Sequence, residues 1–174
     1  MAAALASAKL SVIIPAYNEE GGISKIIDRV LSIRPGLEAM GMAGPEVVVV
    51  DDGSRDRTVD IVSGYADVKL IRHEKNRGYG GALKTGFRNS TGDLLAFLDA
   101  DGTYPPEHFP ELCRAALSGA DLVIGSRMAG AESEMPPVRR LGNVIFATLV
   151  SLVGNQRVSD SASGMRVFRR EVLE

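Results

Sequence analysis

Two carboxylates lie close together where an apolar segment of this sequence ends. Residues 94–98 read LLAFL, and Asp99 and Asp101 follow them directly. Neighbouring carboxylates repel each other unless a cation lies between them, and Mg²⁺ and Mn²⁺ prefer oxygen ligands. The pair therefore predicts a metal site that holds a diphosphate. The alternative is a turn before Gly102 in which both aspartates are solvated or cap a helix, and the spacing alone leaves both interpretations open.

Polar residues follow three other apolar segments in the same way. They are residues 17–19 (YNE), 51–54 (DDGS) and 126–127 (SR). Because ligands of open α/β sheets bind outside the carboxyl ends of the strands, four such ends at one rim predict a binding site there. The DDGS segment also fits a simple turn followed by a helix cap, and Tyr17 also fits a half-buried aromatic residue at a strand end.

The elements that would position these residues alternate along the chain. Four consecutive valines at 47–50 predict a strand buried on both faces, which is typical of a parallel sheet. Pro15 has no N–H to donate and is expected to end the pairing of the first strand. The alternation predicts an α/β fold, a mostly parallel sheet with helices on both faces. Predicted strands are 10–16, 46–51, 67–72, 92–98, 121–126 and 164–168; predicted helices are 23–31, 58–65, 81–89, 105–117 and 139–154; predicted connections are 35–45 and 128–138.

Composition and charge exclude other classes of protein. With 45% hydrophobic and 24% charged residues, residues 1–174 suit one globular domain with its own core. The net charge of -2 argues against a nucleic-acid-binding protein, which usually has a basic face. Cys113 is the single cysteine, so a disulfide within the chain is impossible and a reducing compartment is favoured. No apolar run reaches the roughly 18 residues of a membrane span, and residues 170–174 look like the start of a helix, so we expect the natural chain to continue.

The glycine-rich segment and the two histidines have ordinary explanations. Residues 78–81 read GYGG, which does not fit a dinucleotide fingerprint and predicts a backbone that approaches a ligand closely. His73 and His108 lack the spacing of metal ligands, so we expect them to lie on the surface or to have packing roles.

Six segments of the chain together resemble the family 2 glycosyltransferases of the GT-A fold. The segment GSR, followed by a Pro-rich loop, a basic pair and an apolar helix, is most similar to the polyprenyl-phosphate branch, which includes dolichol-phosphate mannosyltransferase. The resemblance implies a Rossmann-like sheet and a metal-dependent hexosyltransferase. The matching segments are SVIIPAYNEE (11–20), VVVVDDGSRDRT (47–58), NRGYGGALKTG (76–86), LLAFLDADGTYPPE (94–107), DLVIGSR (121–127) and SDSASGMRVFRREVL (159–173).

The resemblance also implies roles for individual residues. Asp99 and Asp101 would hold Mg²⁺ or Mn²⁺, and Asp52 would accept a hydrogen bond from the base ring N–H. Thr103 stands where the branch often has Gln, so a ligand there would be a weaker neutral one. Asp101 and Arg127 would be catalytic, and Arg139 and Arg140 would contact the acceptor phosphate. The nucleotide-sugar site would comprise Pro15, Tyr17, Glu19, Val50, Asp52, Asp99, Ala100, Asp101, Arg127 and Arg166.

The implied reaction is an inverting transfer of a hexose from GDP-mannose or UDP-glucose to a polyprenyl or dolichyl phosphate. Such an acceptor is already an anion, so it needs positioning by arginines more than a general base. Asp160 is the carboxylate nearest to where a base would lie, and a loop or cap role fits it equally. The apolar helix at 144–153 fits either a membrane surface or an ordinary core. We expect the protein to be cytoplasmic, and a position at the inner face of the membrane is compatible with this.

Three other functions fit part of the pattern. A family 2 enzyme could use a glycan or a small molecule as its acceptor, and dependence on a membrane would separate the two. A nucleotide-sugar pyrophosphorylase would open with a glycine-rich basic loop after the first strand, and PAYNEE is not such a loop. A non-catalytic nucleotide-sugar binding module would not need the intact Asp99 and Asp101.

Overall fold

The computed structural model describes residues 8–125 and 164–173, which contain one six-stranded sheet. Its strands are β1 (Leu10–Ala16), β2 (Glu46–Asp51), β3 (Val68–Arg72), β4 (Leu94–Phe97), β5 (Leu122–Ile124) and β6 (Arg166–Arg169). The strand order is β3-β2-β1-β4-β6-β5. Strands β1 to β4 pair in parallel, whereas β6 lies antiparallel between β4 and β5. The prediction of a mostly parallel sheet is therefore confirmed.

Five α-helices connect the strands of the described residues. They are α1 (Ile23–Leu31), α2 (Arg34–Glu38), α3 (Thr58–Ser63), α4 (Tyr79–Asn89) and α5 (Phe109–Leu117), with 3₁₀ turns at Pro106–His108 and Arg170–Leu173. The prediction of a connection without helix at 35–45 was wrong, because Pro35 occupies the first turn of α2, where its missing N–H costs nothing. The predicted loop at 128–138 and helix at 139–154 lie outside the described residues. No described helix has the length and apolarity needed to cross a membrane.

Helices cover both faces of the sheet, as predicted. Successive strand residues point to opposite faces, so β1 and β2 contribute to two apolar clusters. The larger cluster joins Ile14 and Val49 to residues of α1 and α5, including Ile27 and Phe109. The smaller cluster joins Ile13, Val48 and Val50 to Ala82 of α4, with Leu83 and Phe87 packed against them. The four valines of β2 are all 1% exposed or less, which confirms their predicted burial on both faces.

Pro15 ends the pairing of β1 on one edge only. The Ile13 carbonyl accepts the Leu98 N–H on the side of β4, and the Ala16 carbonyl accepts the Asp52 N–H on the side of β2. Because alternate residues of a strand present their backbone groups to opposite edges, the missing N–H of Pro15 faces β4. Pairing with β4 ends at Ile13, whereas Pro15 and Ala16 stay in register with β2. The prediction that the proline ends the whole ladder was therefore wrong.

The opening between β1 and β4 lies at the switch point of the sheet. From β1 the chain moves outwards to β2 and β3, and it then returns to place β4 on the other side of β1. In open α/β sheets the crevice at such a point, beyond the carboxyl ends of the strands, is where ligands bind. The fold thus leaves a crevice where Pro15 and the segment after β4 diverge.

Candidate active site

A cleft of about 320 Å³ opens at the carboxyl ends of β1, β2 and β4. Asn76, Gly78, Tyr79 and Ala82, from the glycine-rich turn and α4, complete its wall. The cleft therefore brings together side chains from four segments that are far apart in sequence. Of the residues predicted to bind the nucleotide sugar, seven line it: Pro15, Tyr17, Glu19, Asp52, Asp99, Ala100 and Asp101.

The loops after β1 and β2 are locked together by reciprocal hydrogen bonds. The Asn18 N–H donates to Ser54 Oγ over 2.9 Å, and the Arg55 N–H donates to Asn18 Oδ1 over 2.8 Å. The Glu19 N–H donates to Thr58 Oγ1 over 2.8 Å. Asn18 has a φ of 57°, in the left-handed region that asparagine tolerates better than most residues. The YNEE and DDGSRDRT motifs thus form one scaffold that holds the Tyr17 and Glu19 side chains at the cleft.

Asp51 and Asp52 have different surroundings although they are adjacent. Asp51 is fully buried, and its Oδ1 accepts the Ser54 N–H over 3.1 Å. Its Oδ2 has no hydrogen-bond partner among the described residues, but the Arg72 Nε lies 3.7 Å away. Asp51 does not line the cleft, and its full burial indicates a structural role.

The Asp52 carboxylate holds the glycine-rich turn in place. Its Oδ1 accepts hydrogen bonds from His73 Nδ1 over 2.6 Å and from the Arg77 N–H over 2.8 Å. Its Oδ2 accepts the Gly78 N–H over 2.8 Å, and Gly78 has a φ of 79° that favours glycine. Burial raises the pKa of Asp52, but these hydrogen bonds and the nearby His73 outweigh it and hold the pKa below its usual value.

His73 is buried and hydrogen-bonded through both ring nitrogens. It is 6% exposed, and its Nε2 lies 2.9 Å from Thr85 Oγ1 of α4 while its Nδ1 contacts Asp52. A surface or a packing role was predicted for His73, and its burial excludes the surface. The contact with the cleft carboxylate was missed, because the two residues are 21 positions apart and no motif joins them.

Tyr79 is one of the cleft residues that sequence reasoning missed. It is the first residue of α4, and its hydroxyl donates to Asp99 Oδ1 over 2.7 Å. Burial and the hydrogen bond to Asp99 raise the pKa of Tyr79 well above its usual value, so the hydroxyl stays a donor. The sequence signal is the tyrosine inside GYGG, a segment whose glycines predict only a close approach of the backbone to a ligand.

Carboxylates crowd the cleft. Burial raises the pKa of Glu19, and the negative charges of Asp101, Asp56 and Asp99 raise it further. Asp101 is exposed, and its Oδ1 accepts the Thr103 N–H over 2.9 Å. Thr103 therefore contributes its backbone to the site. Within the described ranges, no three His, Cys, Asp or Glu side chains converge as a ready-made metal cage.

Helix α1 packs against the segment that follows β4. Arg29 pairs with Glu107 through two hydrogen bonds, of 2.9 and 2.8 Å, and its Nη1 donates to the Gly102 carbonyl over 3.4 Å. At the start of the same helix, a Cβ on Gly22 would lie 2.8 Å from the Ala100 carbonyl oxygen. Only glycine permits this approach without a shift, so Gly22 and Arg29 together fix the path of the backbone between Asp99 and Asp101.

The remaining predicted site residues fall in three groups. Val50 is fully buried in the smaller apolar cluster and does not line the cleft, so its role at the nucleotide stays a prediction. Arg166 begins β6 opposite Phe97, which places it beside the end of β4, and its charge acts on Tyr79. Arg127, Arg139, Arg140 and Asp160 lie outside the described residues.

The chain matches the family model for glycosyl transferase family 2 over residues 11–174. It is 36% identical over 173 residues to the dolichol-phosphate mannosyltransferase of Pyrococcus furiosus, covering 95% of this chain and 47% of that protein. It is 34% identical over 164 residues to a dolichyl-phosphate hexose transferase of Haloferax volcanii, covering 94% of this chain and 68% of that protein. The chain thus spans about half the length of several curated relatives, such as the first of these.

A solved structure with the same fold is glucosyl-3-phosphoglycerate synthase from Mycobacterium tuberculosis, in complex with Mn²⁺, UDP and phosphoglyceric acid. It superposes with a TM-score of 0.71 at 26% identity, covering 98% of this chain and 59% of that one. The GT-A fold inferred from the sequence motifs is thereby confirmed. The family model spans nearly all of the sequence, so this chain belongs to glycosyl transferase family 2.

Proposed function

We propose that this protein transfers a hexose from a nucleotide sugar to a polyprenyl or dolichyl phosphate. One observation carries the proposal: a single cleft joins Asp52 and Tyr17 at one side to Asp99 and Asp101 at the other. The relatives that are named as dolichyl-phosphate transferases support the lipid phosphate as the acceptor. Because the acceptor is a lipid, a peripheral contact with a membrane is part of the proposal.

The two sides of the cleft suit the two ends of a nucleotide sugar. Tyr17 is 45% exposed, so its ring is available to stack on a base, and Asp52 offers a carboxylate to the base edge. Pro15, Glu19 and Ala100 complete the proposed nucleotide contacts, while Asp99 and Asp101 would meet the diphosphate. Arg127 and Arg166 would add guanidinium groups, which pair well with phosphate.

The carboxylates fit a divalent cation. Asp99 and Asp101 supply hard oxygen ligands. Burial raises the pKa of Glu19, and the negative charges of Asp101, Asp56 and Asp99, which a cation would offset, raise it further. Two protein carboxylates are few for a closed cage, but Mg²⁺ is commonly held by one or two carboxylates together with substrate phosphates and waters. When bound by Asp99 and Asp101, Mg²⁺ or Mn²⁺ would act as a Lewis acid toward the leaving diphosphate.

The acceptor phosphate would be positioned by Arg139 and Arg140. A phosphate oxygen attacks the anomeric carbon, the bond from that carbon to the diphosphate oxygen breaks, and the nucleoside diphosphate leaves with the bonding electrons. The nucleophile is already an anion, so no proton has to be removed, and a single displacement inverts the anomeric carbon. Asp101 and Arg127 are the proposed catalytic residues, because they would meet the diphosphate on which negative charge develops.

The test is transfer of labelled sugar from UDP-glucose and from GDP-mannose to undecaprenyl phosphate in detergent with Mn²⁺. We expect lipid-linked product, lost with a chelator, and reduced about a hundredfold or more by Asp101→Asn. Asp67→Asn is the matched control. Asp67 is exposed and directly precedes β3, so it lies at the amino end of a strand, whereas the cleft lies at the carboxyl ends. If sugar is not transferred to the lipid but is transferred to a phosphorylated small molecule such as phosphoglycerate, the acceptor is a small molecule and the lipid acceptor is wrong. Nucleotide-sugar binding without any transfer would favour a binding module.

A further inference from the structure

The Asp52 carboxylate has one hydrogen-bond position left for a ligand. An ionised carboxylate accepts about two hydrogen bonds on each oxygen. The Oδ1 of Asp52 already accepts two, from His73 Nδ1 and from the Arg77 N–H. Its Oδ2 accepts one, from the Gly78 N–H. Among the residues that the structure describes, a single position on Asp52, on Oδ2, is therefore left without a donor, and Asp52 lines the cleft where a base would lie.

The three occupied positions belong to the fold. Two of the donors are backbone N–H groups of the turn that leads into α4, so side-chain rotation cannot remove them. The third donor, His73, is 6% exposed and is fixed at its other nitrogen by Thr85. An ionised carboxylate only accepts hydrogen bonds, so His73 Nδ1 carries the hydrogen in this contact. Asp52 itself is only 4% exposed, which leaves little room for a different arrangement.

Bases differ in how many hydrogens they present to a carboxylate. Guanine offers two donors side by side, the ring N1–H and the exocyclic amino group, which match the two oxygens of a carboxylate. Uracil offers one, the ring N3–H, between two carbonyl groups. A carboxylate with one vacant position satisfies uracil completely and leaves one guanine donor without a partner. Thymine has the same hydrogen-bonding edge as uracil, so it would be accepted in the same way.

We propose that the donor carries a uracil-type base, and that His73 sets this specificity by filling the second position on Asp52 Oδ1. The inference rests on the proposed function, since it takes Asp52 as the group that receives the base. His73 acts through Asp52 and does not touch the nucleotide, so it is a positioning residue. A donor N–H left unpaired in a partly closed site weakens binding substantially, and we expect UDP to bind at least about tenfold more tightly than GDP.

The experiment is calorimetric titration of the purified protein with UDP and with GDP, both in Mn²⁺. Using the diphosphates without their sugars isolates the contribution of the base. His73→Leu frees a position on Oδ1, so the ratio of UDP to GDP affinity is expected to fall about tenfold. His73→Asn carries a side-chain N–H close to the place of Nδ1 and is expected to keep the ratio. Thr85→Val removes only the outer partner of His73 and is also expected to keep it, and circular dichroism verifies that each variant is folded.

Each outcome decides a different point. GDP binding as tightly as UDP to the unchanged protein would overturn the inference and leave the proposed function standing. Binding of neither diphosphate would overturn both. A preference for UDP that is unchanged in a folded His73→Leu variant would overturn the role of His73. If that variant does not fold, the affinity ratio of the unchanged protein and of His73→Asn still tests the choice of base.

Discussion

The Tyr79 hydroxyl lies 2.7 Å from Asp99 Oδ1 and donates a hydrogen bond to it. This contact joins the first turn of α4 to the segment that follows β4. The preceding residue, Gly78, donates its N–H to the Asp52 carboxylate. The proposed base side and the proposed metal side of the cleft are thus connected by two residues of one turn.

Replacing Tyr79 by Phe tests whether this hydrogen bond orients the proposed metal ligand. The ring stays and the donor is lost, so Asp99 loses one fixed partner. We expect the Mn²⁺ concentration that half-saturates UDP binding to rise about fivefold, as loss of one hydrogen bond of roughly 1 kcal/mol would cause. Calorimetric Mn²⁺ titration at fixed UDP measures it.

Tyr65→Phe is the matched control, because the Tyr65 hydroxyl lies 3.0 Å from Asp28 Oδ1 and neither residue lines the cleft. This variant should leave the Mn²⁺ dependence unchanged. Equal Mn²⁺ dependence in Tyr79→Phe and the unchanged protein would mean that Tyr79 does not orient Asp99 for the metal.

Gly22→Ala should displace the segment that carries Asp99 and Asp101. The added methyl group would meet the Ala100 carbonyl oxygen at 2.8 Å, so the segment between Asp99 and Asp101 has to move. We expect a loss of about 1–3 kcal/mol in the free energy of unfolding together with weaker metal-dependent UDP binding. Urea denaturation and calorimetry measure the two effects. Gly21→Ala is the control, since nothing lies within 4 Å of a Cβ there, and a similar loss in both variants would contradict the steric explanation.

Asn18 combines a left-handed backbone with a side-chain hydrogen bond, and two substitutions separate them. Asn18→Gly keeps the backbone freedom and loses only the acceptor of the Arg55 N–H. Asn18→Ala loses both. We expect urea denaturation to give a lower free energy of unfolding for alanine than for glycine, by about 1 kcal/mol. The reverse order would show that the φ of 57° does not strain the alanine variant.

Cys113 should be inert in the folded protein. It is fully buried in the larger apolar cluster, and burial raises the pKa of its thiol to about 12. We expect no reaction with a thiol reagent at pH 8 until urea unfolds the chain. Since the folded pKa lies above the unfolded value of about 8.5, the thiol's contribution to stability is complete below that value and is lost as the pH rises towards 12. Rapid labelling of the native protein would contradict this.

The sequence by itself determined most of the strands and helices and seven of the residues that line the cleft. Apolar periodicity gave β1 and β2 with their observed bounds, because one or two buried faces impose a local pattern on the residues. Sheet topology then required the polar strand ends to meet at one rim, and seven predicted residues line one cleft there. These inferences needed only neighbouring residues and a general rule for parallel sheets.

Only the tertiary structure decided how those residues are used. That Pro15 ends pairing on one edge, that β6 runs antiparallel between β4 and β5, and that α4 begins at Tyr79 all depend on partners distant in the chain. The state of Asp52 is the clearest case. The sequence suggested a carboxylate that accepts the base ring N–H, or a turn with a helix cap. In the described residues, three donors from residues 73–78 occupy all but one of its positions. Hydrogen-bond occupancy depends on which groups the fold brings within 3 Å, and no local pattern encodes it.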